Sequence, residues 1–81
     1  MLTLGIDVGS LTTKSLILEE SNILSSSLLP TGEDASGTAT NIIEQSLKDA
    51  GLSLNQIDQI VSTGIGRSYI SYPTRRAAEL R

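Results

Sequence analysis

The chain has 81 residues and no Cys, His, Phe or Trp, so its core must be aliphatic and no disulfide can staple it. A free-standing domain of this size is marginal, which is the first sign of a segment from a larger protein. The net charge of −3 excludes a broad basic surface for nucleic acid, and no apolar run reaches the roughly 20 residues of a membrane span.

Taken in chain order, Thr3–Val8 is short and aliphatic and ends at Gly9, which predicts a buried strand. No basic leader or small-residue cleavage site precedes it, so a cytoplasmic protein is expected. Thr12–Glu19 is a second strand, and the polar cluster Glu19-Glu20-Ser21-Asn22 after it suits a tight turn. Ile23–Leu29 reads as a third strand ended by Pro30. Its three consecutive serines suggest a sheet edge. Thr31–Thr38 reads as a loop, and Ala39, Ile42, Ile43, Leu47 and Ala50 then recur at helical spacing opposite Glu44, Lys48 and Asp49. Asp34 or Ser36 would cap that helix, and Gly51 stands where a C′ glycine belongs. A further helical turn starts at Ser53, a fourth strand covers Gln59–Thr63, and a last helix begins near Thr74. Within it, Arg75, Arg76 and Arg81 read as a solvated face. The fold class is therefore α/β, in the order β-β-β-α-β.

Between the first two strands lies Asp7-Val8-Gly9-Ser10-Leu11-Thr12-Thr13-Lys14. Phosphates need convergent backbone N–H donors, and a tight turn supplies them. Gly9 permits a close approach that a Cβ would obstruct. Leu11 belongs to the turn, Ser10, Thr12 and Thr13 add hydroxyls, and Lys14 supplies a charge able to reach the β- or γ-phosphate. Asp7 is placed to hold Mg²⁺ through water, since that ion keeps most of its hydration shell. An Asp-x-Gly-Ser tetrapeptide alone is an ordinary turn, and the spacing is not that of a Walker loop. The flanking strands and the Thr-Thr-Lys run favour the phosphate reading.

Gly5–Lys14 resembles the first phosphate motif of the acetate kinase, sugar kinase, Hsp70 and actin superfamily. Within it, Thr63-Gly64-Ile65-Gly66-Arg67 is similar to the T-G-Y-G-R motif of the BadF/BadG/BcrA/BcrD family, with Ile65 in place of Tyr. That family comprises ATPase activators of 2-hydroxyacyl-CoA dehydratases and benzoyl-CoA reductases. The resemblance covers essentially the whole chain and implies an incomplete ribonuclease-H-like, actin-like ATPase subdomain with a mixed sheet, residues 1–81 being its N-terminal part. Gly64 and Gly66 serve either nucleotide contact or the turn leaving the fourth strand. Arg67 is a surface charge or an ion-pair partner.

Ala78-Glu79-Leu80-Arg81 aligns with the start of the family's T-E-I-T-C-H motif, keeping the Glu and an aliphatic residue. The resemblance implies ATP and Mg²⁺ as ligands and a [4Fe–4S] cluster only in the full-length protein, shared across a homodimer. It also implies an acyl-CoA dehydratase or reductase as partner, and a ferredoxin or flavodoxin as electron donor. The full-length protein would be an ATPase and this segment alone inactive. Two other readings stay open: a sugar-kinase-like small-molecule kinase, which would lack a Cys-His pair after Arg81, and a non-catalytic reactivating factor.

Overall fold

The computed structural model describes residues 1–64. Three strands, β1 (Leu2–Val8), β2 (Thr12–Glu19) and β3 (Asn22–Pro30), form an antiparallel meander. Helix α1 (Ala35–Ala50), a single 3₁₀ turn at Leu54–Gln56 and strand β4 (Gln59–Gly64) follow. The strands make one mixed sheet in the order β3-β2-β1-β4, with β4 parallel to β1. Both the expected element order and the edge position of the serine-rich strand are realised. The helix expected near Thr74, the arginine cluster and residues 65–67 of the second motif lie outside the described residues.

The β2–β3 turn is tighter than its four polar residues suggest. Glu19 pairs with Asn22, and Glu20 rather than Asn22 takes the left-handed conformation, at φ 58°. Further along, Ile17 pairs with Ser25 and Leu18 with Ile23, which leaves Leu24 as the extra residue of a bulge. The bulge keeps Ser25 and Ser27 turned toward the helix side while twisting the edge strand.

The helix begins one turn earlier than its apolar repeat does. Asp34 is the N-cap, with Gly37 N–H donating to its Oδ1 at 3.0 Å, so Ser36 lies inside the helix. At the other end Gly51 adopts φ 71° and its N–H returns to the carbonyls of Leu47 and Lys48. Alternation in the strands sends Leu4, Ile6, Val8 and Ile17 to one face, where they meet Ala39, Ile42, Ile43 and Leu47. Each fully buried Ile or Leu contributes about 1.5–3 kcal/mol. The same interface carries hydroxyls that the apolar periodicity does not reveal. Ser46 is completely buried between the apolar helix residues and hydrogen-bonds Ser15, while its hydroxyl donates to Ser27 at 3.3 Å and its carbonyl accepts from Ser25 at 2.8 Å.

Candidate functional site

Strand directions concentrate the chain's polar chemistry at one rim. Because β1 runs antiparallel to β2 and parallel to β4, the end of β1, the start of β2 and the end of β4 all meet there. Asp7 stands opposite Lys14 on one side and opposite Thr63 on the other. The three residues form a row on the face turned away from α1, at a spacing where directly opposed side chains interact. Thr63 Oγ1 donates to Asp7 Oδ1 at 2.9 Å, which orients the carboxylate. Below this row a hollow of about 510 Å³ opens on the same face, with Gly5, Leu16 and Val61 among its lining. Among the described residues no element covers that face.

The turn above the row is closed by Gly9 N–H donating to the Thr12 carbonyl at 2.9 Å. A Cβ on Gly9 would stand 3.1 Å from that carbonyl oxygen, a tight contact that the turn would have to give way to accommodate. Ser10 and Thr12 are exposed at the tip, and Leu11 is 81% exposed. An aliphatic side chain so far in solvent leaves its residue's value to the turn with the backbone.

Asp7, Ser10, Thr12 and Lys14 thus share the exposed rim, as the sequence reading places them. Thr13 departs from it. Alternation along β2 turns its side chain to the helix side, where it is completely buried and its hydroxyl bonds Thr31 Oγ1 at 2.8 Å. A phosphate at the rim would therefore not meet that hydroxyl. Gly64 stands beside Val8 in the β1–β4 register, next to the hairpin, and Gly66 lies outside the described residues. Sequence reasoning missed two residues, Thr31 and Thr63, as contributors of hydrogen bonds. The parallel β1–β4 pairing alone would have set Thr63 beside Asp7, whereas nothing in the sequence marks Thr31.

This donor set suits a hydrated cation more than a protein cage. Among the described residues no three His, Cys, Asp or Glu side chains cluster. Mg²⁺ in nucleotide sites is commonly held by one or two carboxylates, water and the phosphates themselves, and one oriented Asp beside a Lys fits that pattern. An iron–sulfur cluster does not fit these residues, because the chain has no thiolate to offer.

The activator of lactoyl-CoA dehydratase from Anaerotignum propionicum is 32% identical over 81 residues, spanning 99% of this chain and 31% of the relative. The 2-hydroxyisocaproyl-CoA dehydratase activator of Clostridioides difficile is 31% identical over 81 residues, spanning 99% of this chain and 30% of the relative. The chain spans about 30% of the length of these activators. A third relative, 36% identical over 66 residues, is an uncharacterized protein of Methanocaldococcus jannaschii, of which this chain spans 16%. A solved activator of 2-hydroxyisocaproyl-CoA dehydratase with bound ADPNP superposes with a TM-score of 0.76 at 32% identity, over 88% of this chain and 26% of the activator. A ROK hexokinase from Thermus thermophilus shares the fold, with a TM-score of 0.64 at 21% identity over 79% of this chain and 22% of the hexokinase. No known family profile matches the chain. No described helix is long and apolar enough to cross a membrane.

Proposed function

We propose that this chain is the phosphate-gripping part of an ATP-dependent activator that drives electron transfer into a 2-hydroxyacyl-CoA dehydratase. The observation that carries the reading is the row Lys14–Asp7–Thr63 beneath a glycine-closed turn, in a chain similar to two dehydratase activators. Gly9, Ser10, Leu11 and Thr12 present the turn to the β- and γ-phosphates, Lys14 balances their charge, and Asp7 holds Mg²⁺ through water. Gly64, beside the hairpin, leaves room for the nucleotide, and Gly66 of the same motif is assigned to nucleotide contact with it.

A γ-phosphate shifts a conformational equilibrium only by binding one state better than the other, and the hairpin is the element that would sense it. The complete protein works in the cytoplasm as a homodimer and takes electrons from a ferredoxin or flavodoxin. Ligands for a [4Fe–4S] cluster come from outside these residues. The likeness to hexokinase is one of fold and adds no support for phosphoryl transfer to a sugar.

The test uses the complete protein with its dehydratase. Lys14→Ala is expected to abolish ATP-dependent activation while the protein remains folded by circular dichroism. Wild-type turnover in that variant would sink the assignment.

A further inference from the structure

Thr31 follows the last residue of β3 and is only 3% exposed, beneath the β1–β2 turn. Each of its polar groups is engaged. Its N–H donates to the Leu11 carbonyl at 2.9 Å, and its hydroxyl donates to the Gly9 carbonyl at 2.8 Å. A hydroxyl has one proton, so in the 2.8 Å contact between Thr13 Oγ1 and Thr31 Oγ1 it is Thr13 that donates. The Thr31 carbonyl accepts from Thr38 Oγ1 at 2.8 Å, in the first turns of α1.

These bonds decide which way the hairpin's peptides face. No peptide bond in the described chain is cis, and in a planar trans peptide the C=O and the following N–H point in opposite directions. With the Gly9 and Leu11 carbonyls drawn to Thr31, the N–H groups of Ser10 and Thr12 point away from it. Among the described residues no backbone carbonyl accepts from Ser10 N–H, which leaves that donor free at the exposed tip. An unpaired donor at the turn that leads into Lys14 is what an anion requires.

We propose that Thr31 is a positioning residue for phosphate binding: by drawing the Gly9 and Leu11 carbonyls to itself, it aims the Ser10 and Thr12 amides at the ligand. The inference rests on the phosphate reading of the hairpin. It also assigns Thr13 a role, since its buried hydroxyl supports Thr31 and not the nucleotide. Through Thr38 the same residue ties the hairpin to α1, so the grip on phosphate and the seat of the helix share one residue.

The test is the affinity of the complete protein for Mg-ATP and its kinetics of ATP hydrolysis, in wild type, Thr31→Val and Thr31→Ser. Val keeps the shape and the N–H bond but loses the hydroxyl, and Kd and KM are expected to rise about tenfold with kcat little changed. Ser keeps both hydroxyl bonds and is expected to restore wild-type values. Wild-type affinity in a folded Thr31→Val protein overturns the proposal. If Thr31→Val does not fold, Thr31→Ala decides, since it too loses the hydroxyl and keeps the N–H: weakened binding in that folded variant upholds the role, and native affinity overturns it. Failure of the wild type to bind Mg-ATP overturns both this inference and the phosphate reading, whereas equal binding by wild type and Thr31→Val overturns this one alone.

Discussion

Thr63 on β4 donates a 2.9 Å hydrogen bond from Oγ1 to Oδ1 of Asp7 on β1, joining residues 56 apart in sequence. The bond links the two motifs that the sequence presents separately and fixes the carboxylate expected to hold Mg²⁺. Asp7→Ala in the complete protein is therefore expected to abolish ATP-dependent activation. Thr63→Val removes only the orienting donor and should raise the Kd for Mg-ATP about fivefold, the worth of one hydrogen bond of about 1 kcal/mol. Calorimetric titration of both variants checks this, and equal affinity for wild type and Thr63→Val would show that Asp7 needs no orientation.

Gly9 is expected to tolerate no side chain without loss of binding. An added Cβ would press on the Thr12 carbonyl from 3.1 Å, and that carbonyl accepts the bond closing the turn. Gly9→Ala should weaken Mg-ATP binding severalfold, and Gly9→Val more, with little loss of melting temperature because the turn lies at the rim of the sheet. Thermal melts and titrations on the same samples separate the two effects. A large fall in stability with unchanged affinity would contradict the expectation.

Two buried serines should respond in opposite ways. Ser46→Ala strips Ser15 and Ser27 of their shared partner and is expected to cost about 1–3 kcal/mol, less whatever the helix gains from alanine. Ser62 is fully buried, and its hydroxyl has no hydrogen-bond partner among the described residues. Removing an unsatisfied group restores what its burial costs, so Ser62→Ala should leave stability unchanged or raise it by up to about 1 kcal/mol. Urea denaturation of the two variants gives the comparison, and a clear loss for Ser62→Ala would reveal a partner for that hydroxyl.

The effect of Gly37→Ala should depend on what stands at position 34. A Cβ on Gly37 would lie 2.4 Å from Asp34 Oδ2, so alanine displaces the capping carboxylate. The lost cap, about 1 kcal/mol, roughly offsets the gain of alanine over glycine inside a helix. In wild type the substitution should therefore be near neutral. In an Asp34→Ala background, where there is no cap to lose, it should stabilise by about 1 kcal/mol. A double-mutant cycle on unfolding free energy measures this coupling, and simple additivity would refute it.

Most of the fold was legible because its signals are local. Aliphatic runs marked β1, β2 and β4, the triple serine marked β3 as an edge, and Gly51 marked the end of α1. What escaped notice is hydroxyl chemistry that has meaning only across elements. Ser46 reads as a polar helix position until Ser15, Ser25 and Ser27 are set beside it. Thr13 reads as another hydroxyl on the rim until strand alternation turns it inward. Thr31 reads as loop, since nothing in a Pro-Thr-Gly stretch shows that the threonine lies beneath the hairpin. Asp7 and Lys14 were legible as a pair because one short turn joins them. Thr63 needed the parallel register with β1 before its contact with Asp7 could be seen.

That parallel register also bears on how the protein is made. The meander pairs neighbours in sequence, beginning with Val8 beside Thr13, whereas β4 reaches β1 only after the whole of β2, β3 and α1 has intervened. Closing a long loop costs more chain entropy than closing a short one, so the hairpin has a head start and β4 docks late. Until it docks, Asp7 has no Thr63 to orient it, and the inner edge of β1 stands unpaired. A nascent chain halted before Gln59 would therefore expose an aggregation-prone strand edge, and ribosome-bound chains of increasing length, assayed for protease resistance, should gain protection of β1 only once β4 has emerged.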